Sequence, residues 1–149
     1  MKKHCIKNAP PSMLINELSK LFNDRMRQKT EVLGMSEGYR RMLFHLSHNE
    51  TLTQLELVKR SHLSAPTVSV ALQKMESEGL VVRESDERDQ RSVLVRLTEA
   101  GRQADRKVVG AIHETEKELL QGITEEQIAA LRPILEQMYR NLEKEVEHQ

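Results

Sequence analysis

The sequence predicts a mainly α-helical fold with one small β-hairpin, and three observations lead to this prediction. Hydrophobic residues recur at helical spacing along most of the 149-residue chain. Helix-capping motifs of the type S/T-x-x-E/Q begin at Thr53 and Thr124. Only residues 80–97 contain two short runs with the alternating pattern of strands. Aromatic residues amount to 3%, so Leu, Val, Ile and Met are left to fill the core, which suits helix packing.

The first two predicted helices follow a flexible N-terminal arm, residues 1–11, which ends in two prolines. Ser12 is expected to cap the first helix, about 12–33, and Ser36 to cap the second, because a serine at that position accepts a hydrogen bond from a free backbone N–H group. The second helix carries one hydrophobic face, made of Tyr39, Met42, Leu43 and Leu46.

The next two predicted helices are joined by a tight turn. A capping box at Thr53 begins the first of them, and the turn follows at 61–63, where His62 is expected to adopt a left-handed conformation. Ser64 is expected to cap the following helix, about 65–78, and Gly79 to end it. Two helices joined in this way predict a helix-turn-helix.

A β-hairpin is predicted directly after these helices, with strands at 80–84 and 92–97. Its tip, 86–91, holds three acids and two arginines but no glycine, although short hairpins usually turn on Asn-Gly or Asp-Gly. A hairpin at this place makes the motif a winged helix-turn-helix, with a lobe that spans about 36–97.

Two long helices are predicted to complete the chain, separated by a break at Gly122. The last helix carries a hydrophobic stripe close to a heptad seam, made of Ile128, Leu131, Leu135, Met138, Leu142 and Val146. Such a stripe either packs on its own domain or meets a second copy of the chain, and the small size of the chain favours a second copy. The predicted dimerisation helices are therefore about 12–33 and 98–146.

Charge, cysteine content and hydrophobicity indicate the compartment of the protein and the kinds of partner that it can have. Net charge is zero, with a basic excess in residues 1–102 and an acidic excess in 103–149. This is either chance variation among solvated helix faces or a basic front that meets an anion. The single cysteine, Cys5, allows no disulfide within the chain, which favours a cytoplasmic protein. The first residues lack the apolar segment of a signal peptide, and no run is long enough to span a bilayer.

No catalytic or cofactor site is predicted, so the protein is not expected to be an enzyme. The sequence has no G-x-S-x-G motif, no Gly-rich phosphate loop and no HExxH motif. His45 and His48 are three residues apart on a helix, and His113 lies on a later helix. No clear set of carboxylates accompanies them, so hydrogen-bonded or solvated histidines are expected in place of a metal site.

Three motifs are specific in combination: L-S-x-P-T-V-S at 63–69, M-E-x-E-G-L-V-x-R at 75–83, and D-x-R-D-x-R followed by V-x-L-T-E-A-G at 86–101. In these motifs, and in the number and order of the flanking helices, the chain resembles the MarR family of bacterial transcription regulators over about 12–146. The resemblance implies a winged-helix homodimer whose N- and C-terminal helices interlock and whose two lobes bind near-palindromic double-stranded DNA.

The resemblance assigns the helix 65–78 to the DNA major groove. By helical angle, one face of this helix points inward, and the opposite face and its flanks are expected to contact DNA. The candidate DNA-contacting residues are Ser64, Pro66, Thr67, Ser69, Val70, Gln73 and Lys74. Val70 suits a thymine methyl group and Gln73 suits adenine, while Ser64 and Thr67 suit phosphate oxygens. Many relatives have Arg or Lys where this chain has Val70.

The hairpin is the wing, and the charged stretch is its tip. Arg88 is the candidate for the minor groove, because the strong negative potential of a narrow minor groove favours an inserted arginine. Asp86 or Asp89 is expected to pair with Arg91 and to bind backbone N–H groups of the turn, which would stiffen a loop without glycine. The alternative is a solvated loop with weak surface ion pairs.

Relatives often bind small aromatic or phenolic compounds between the winged lobe and the dimerisation helices. By helix order, Tyr39, Met42, His45 and His113 are the candidate pocket residues. The protein is thus expected to be a homodimeric, sequence-specific repressor that a small molecule releases. Two alternatives stay open: a winged-helix protein-interaction module without DNA binding, supported by Val70 and the balanced charge of 52–102, and a metal- or thiol-responsive regulator that uses the histidines or Cys5.

Overall fold

Six α-helices and a three-stranded antiparallel sheet make up residues 6–146, the part of the chain that the computed structural model describes. The fold class predicted from the sequence is confirmed. In chain order the elements are α1 (Pro11–Glu31), α2 (Glu37–Ser47), β1 (Leu52–Thr53), α3 (Gln54–Ser61), α4 (Ala65–Ser77), β2 (Val81–Ser85), β3 (Val93–Leu97), α5 (Glu99–Leu119) and α6 (Glu125–Val146).

The sheet has the strand order β1-β3-β2, so the hairpin of β2 and β3 gains a third strand that the sequence did not predict. In the hairpin, Val81 lies opposite Leu97 and Arg83 opposite Val95. On the other side of β3, Leu52 also lies opposite Val95. The short strand before α3 therefore attaches the helix-turn-helix to the base of the wing.

Most of the predicted helix boundaries are confirmed by their capping bonds. The Ser36 side chain accepts a bond from the Tyr39 N–H group, and Thr53 forms a complete capping box with Glu56. His62 has φ 54° and lies in the left-handed region, as expected for the turn.

The expectation that Ser12 caps the first helix is wrong. The N-cap is Pro10, without a side-chain cap, and Pro11 is the first helical residue. Proline suits this place because its ring presets φ and its missing N–H group would have no partner in the first turn. Part of the predicted arm, residues 1–5, lies outside the described residues.

The described residues up to Thr115 form one compact unit, and those from Glu116 onward form a second. The core of the first unit contains the inward face of α4, for which the prediction is confirmed: Val68, Ala71, Leu72 and Met75 are all buried. Tyr39, Met42, Leu43 and Leu46 of α2 pack into the same core. Burial of this cluster is the main source of stability for the winged lobe.

The second unit contains α6, whose start is fixed by the predicted capping motif. The Thr124 N–H donates to Gln127 Oε1 at 2.9 Å, and the Gln127 N–H donates to Thr124 Oγ1 at 3.2 Å. Large apolar side chains of α6 are exposed, among them Leu131, Leu135 and Leu142. Among the described residues, no helix has the length and apolar character needed to cross a membrane.

Candidate nucleic-acid interface

The outward face of α4 is open to solvent along its length. Pro66, Thr67, Val70, Gln73 and Lys74 are exposed, and Ser69 is half-buried. Val70 is 66% exposed although it is apolar. The prediction that this face points away from the core is therefore correct. Its polar side chains, Thr67, Gln73 and Lys74, are of types that hydrogen-bond base edges or phosphates of DNA.

The N-terminus of α4 brings two of the candidate phosphate-binding hydroxyls together. Ser64 Oγ accepts a bond from the Thr67 N–H group at 3.3 Å and lies 2.7 Å from Thr67 Oγ1. Both hydroxyls are exposed at the positive end of the helix dipole, where an anion is favoured.

A shallow groove runs between α4 and the start of α2. Its lining residues are Ser36, Gly38, Tyr39, Pro66, Thr67, Val70, Ala71 and Lys74. The ammonium of Lys74 lies over the ring of Tyr39, 5.5 Å from its centroid. Four of the predicted DNA-contacting residues thus share one surface, which the start of α2 extends.

The wing turn is held by its two aspartates, each of which binds the backbone two residues further on. Asp86 Oδ1 accepts from the Arg88 N–H group at 2.9 Å, and Asp89 Oδ1 accepts from the Arg91 N–H group at 3.0 Å. The Ser92 N–H group also donates to the Asp89 carbonyl at 2.8 Å. These bonds order the turn without glycine, and the side chain of Arg88 is left exposed at the tip.

Arg91 does not form the ion pair that was expected with Asp86 or Asp89. The salt bridges of residues 6–146 do not include Arg91, whose side chain is exposed. The physical reason is that a carboxylate oxygen of each aspartate is already aimed at a backbone N–H group of the turn. The wing therefore carries two exposed arginines, Arg88 and Arg91.

A salt bridge that the sequence did not predict ties the base of the wing to α4. Arg83 of β2 donates from Nε at 2.9 Å and from Nη2 at 2.6 Å to the same carboxylate oxygen of Glu76. A second pair, Arg96 with Glu84, joins the two wing strands at 3.2 Å. The seven-residue separation of Glu76 and Arg83 offers no local signal, because the contact depends on how β2 leaves the end of α4.

Comparisons with known proteins identify the family. A family model described as the MarR family matches residues 33–92. The crystal structure of a MarR-family transcriptional regulator from Silicibacter pomeroyi is 31% identical, with 86% of each chain covered and a TM-score of 0.71. The chain belongs to the MarR family. Its members are DNA-binding transcription regulators, and the outward face of α4 and the wing are the parts of this chain that suit that activity.

Two further proteins are similar to the chain. The uncharacterized HTH-type transcriptional regulator YdgJ of Bacillus subtilis (strain 168) is 30% identical over 112 residues, which are 73% of this chain and 66% of that protein. A mutant MarR from E. coli in complex with operator DNA shares the fold, with 21% identity, a TM-score of 0.73, and 89% of this chain and 96% of that chain covered.

The four residues predicted to line an effector pocket in this MarR-family protein are not brought together. Tyr39 and Met42 are buried in the core, at 2% and 0% exposure. The small exposed part of Tyr39 lines two other grooves, one beside α4 and one that Ala104 and Lys107 of α5 also line. His113 is exposed on α5 and does not line the cavity that contains His45. Helix order places α2 and α5 side by side, but it does not give the rotation of each helix about its axis, which decides the lining side chains.

His45 does line a cavity of about 240 Å³ in the first unit. The apolar walls come from Phe22, Met26, Phe44, Val108, Val109 and Ile112, and the polar ones include Arg40, Arg41, His48 and Asp105. A small organic molecule is the kind of ligand that such a mainly apolar cavity with a few polar groups admits.

The polar groups of this cavity are partly withdrawn from water. Burial lowers the pKa of His45, and the positive charge of Arg60 adds to the effect. Burial raises the pKa of Asp105 above its ordinary value. Burial also lowers the pKa of Arg40, whose Nη1 donates to the hydroxyl of Thr30 at 3.1 Å. Arg40 was not among the predicted pocket residues.

No group of three or more metal-ligating side chains occurs in residues 6–146. Cys5, the candidate redox thiol, lies outside the described residues.

Proposed function

We propose that this protein is a homodimeric repressor that binds a pseudo-palindromic DNA operator and is released by a small aromatic or phenolic effector. The observation that carries the proposal is the combination, in one winged lobe, of an open outward face on α4 with an ordered wing tip that exposes Arg88. The E. coli relative with the same fold is described in complex with operator DNA.

Each lobe would place α4 in the major groove and the wing in the adjacent minor groove. Gln73 and Val70 are the candidates for base contacts, and Ser64, Thr67 and Lys74 for phosphates. Arg88 is the candidate for the minor groove, where the negative potential favours an arginine. The bonds from Asp86 and Asp89 support this role because they reduce the conformational freedom that the wing would otherwise lose on binding.

A dimer is supported by the apolar side chains that the helices outside the lobe expose. On α1 these are Met13, Ile15, Leu18 and Leu21, and on α6 they are Leu131, Ile134, Leu135, Tyr139 and Leu142. Helices that expose this much apolar surface usually bury it against a partner. Two lobes related by a two-fold axis would read half-sites about one helical turn apart, roughly 34–36 Å.

Selection of binding sites from random duplex DNA by the purified protein tests this proposal. We expect enrichment of a pseudo-palindrome with A·T pairs near the positions that Val70 and Gln73 contact. Affinity for the selected site is expected to fall steeply as salt rises, because phosphate contacts release counterions. A folded, dimeric protein that enriches no sequence would refute DNA recognition.

The effector part of the proposal is supported by the cavity beside α2, where His45 and Arg40 stand among apolar walls. Phenol and benzoate are suitable probes, because both are small aromatic molecules and one carries a carboxylate that a partly buried guanidinium attracts. Binding should raise the melting temperature and weaken DNA binding. His45→Ala should reduce both effects, and His113→Ala should reduce neither because His113 does not line the cavity. Equal responses of the two variants would refute this site.

One observation favours a second candidate function, a protein-interaction module that has lost DNA binding. Val70 exposes an apolar side chain at the centre of the α4 face, where it can neither hydrogen-bond a base edge nor pair with a phosphate. The same selection experiment separates the two functions, since an interaction module would enrich no duplex.

A further inference from the structure

Tyr39 of α2 contacts two charged residues on α4 and at its C-terminal end. Its hydroxyl donates a hydrogen bond to Glu78 Oε2 at 3.1 Å. The face of its ring lies 5.5 Å from the ammonium of Lys74. The residue is only 2% exposed, so the ring has little freedom to move.

Lys74 is in the last turn of α4, and Glu78, four residues further on, is the C-cap of that helix. A lysine and a glutamate at this spacing are close enough to attract each other, although the pair is weaker in this order than with the glutamate first. They form no salt bridge here: the carboxylate of Glu78 accepts from Tyr39, and the ammonium of Lys74 stays over the ring. Burial, with the bond to Glu78, raises the pKa of Tyr39 to about 12. The hydroxyl is thus protonated, and able to donate to Glu78, at neutral pH and well above it.

Because Glu78 is bonded to Tyr39, the ammonium of Lys74 has no carboxylate partner in the groove beside the outward face of α4. Within residues 6–146 the ammonium makes its contact with the Tyr39 ring and has no salt bridge. A contact with an aromatic face leaves N–H donors of the ammonium available. Pro66, Thr67 and Val70 line the same groove, so the ammonium belongs to the surface that would face DNA.

We propose that Tyr39 is a positioning residue for DNA binding: it holds the carboxylate of Glu78 away from Lys74, so that Lys74 is free to contact a DNA phosphate. This inference rests on the proposed function, because it takes the α4 face as the DNA-binding surface. A purely structural Tyr39 would affect stability, but its effect on DNA affinity would not depend on the charge of Glu78.

A double-mutant cycle of Tyr39→Phe and Glu78→Gln tests the inference. Phenylalanine keeps the ring, its packing and its contact with Lys74, but it releases Glu78 to pair with Lys74. We expect Tyr39→Phe to weaken DNA binding about three- to tenfold at low salt. The plot of log affinity against log salt should lose about one unit of slope, the value of roughly one phosphate contact. With Glu78→Gln in place, Tyr39→Phe should change the affinity less than about twofold.

The probes are two labelled duplexes, one of random sequence and one that carries the selected site. Lys74→Gln changes an exposed residue and not the core, and it tests the same inference from the side of the lysine. It should weaken DNA binding in the wild-type background and have little effect in the Tyr39→Phe background.

An equal loss from Tyr39→Phe in both Glu78 backgrounds, or no loss in either, would overturn the role of Tyr39. Wild-type protein that binds neither duplex would instead refute the proposed function, and the inference with it.

Discussion

The carbonyl oxygen of Leu80 occupies the space in which a side chain on Gly101 would begin. A Cβ atom at residue 101 would overlap that oxygen and lie 3.0 Å from the Leu97 side chain. Thr98 binds the same segment, since its hydroxyl donates to the Gly79 carbonyl at 2.6 Å and its N–H group donates to Leu80 O at 3.0 Å. The first turn of α5 is thus locked to the residues between α4 and β2, which makes a rigid joint.

Gly101→Ala is expected to lower the free energy of unfolding by about 1–3 kcal/mol, because the added methyl group must displace backbone in a tight joint. Urea unfolding at a fixed protein concentration measures this, since dimerisation makes the apparent stability depend on concentration. Gly110→Ala is the control on the same helix. Nothing lies within 4 Å of a Cβ atom at Gly110, so the better helix propensity of alanine should add up to about 1 kcal/mol. Similar unfolding midpoints for the two variants would contradict the joint.

Arg88→Ala is expected to weaken DNA binding by about 1–3 kcal/mol while the dimer stays intact. The reason is that the variant lacks the side chain that would enter the minor groove. The turn itself should persist, because alanine retains the backbone N–H group that donates to Asp86. Fluorescence anisotropy with the selected duplex measures the affinity, and sedimentation measures the dimer. Glu87→Ala, one residue away, should bind at least as well as wild type because it removes a negative charge. Equal affinities of the Arg88 variant and the wild type would refute the wing assignment.

The order of the wing turn can be separated from its charge by comparing Asp86→Asn with Asp86→Ala. Both variants remove a negative charge, but only asparagine keeps an oxygen that accepts the Arg88 N–H group. The alanine variant should bind the selected duplex more weakly than the asparagine variant by up to about 1.5 kcal/mol, because a hydrogen bond worth about 0.5–1.5 kcal/mol orders the turn before it meets DNA. Identical affinities of the two variants would mean that the turn does not need this bond. The comparison uses the same anisotropy assay.

Local signals predicted most of the fold. Ser36, Thr53, Ser64 and Thr124 each cap a helix through bonds made within three residues, so the sequence around each of them contains the whole interaction. The inward face of α4 could also be predicted from the sequence, because a period of 3.6 residues determines which side chains share a face. At Ser12 the serine signal competed with Pro10 and Pro11, and the prolines determined the start of α1.

The features that were missed depend on how elements meet in space. The strand β1 has two residues and exists through its pairing with β3, more than forty positions later in the chain, which no local pattern encodes. His45 lines the cavity beside α2, whereas Tyr39, Met42 and His113 do not, because the sequence does not give the rotation of each helix about its axis. The partner of Tyr39 is likewise remote, since Glu78 follows it by 39 residues.

The stability of the first unit is expected to fall below neutral pH through His45. Burial and the nearby charge of Arg60 lower its pKa in the folded state, so the unfolded chain binds the proton more readily. The stabilisation is therefore fully present above the unfolded value of about 6.5 and is lost as the pH falls through the folded value. Asp105 acts in the opposite direction: burial raises its pKa, and its contribution is lost as the pH rises through the raised value.

The difference between wild type and His45→Gln isolates the histidine from Asp105, since the carboxyl group is common to both proteins. Urea unfolding between neutral pH and about pH 5.5 should show a smaller decrease in stability for His45→Gln than for wild type. His113→Gln is the matched control, because His113 is exposed on α5, and it should follow the wild-type curve. Parallel curves for wild type and His45→Gln would show that the burial of His45 does not affect its protonation.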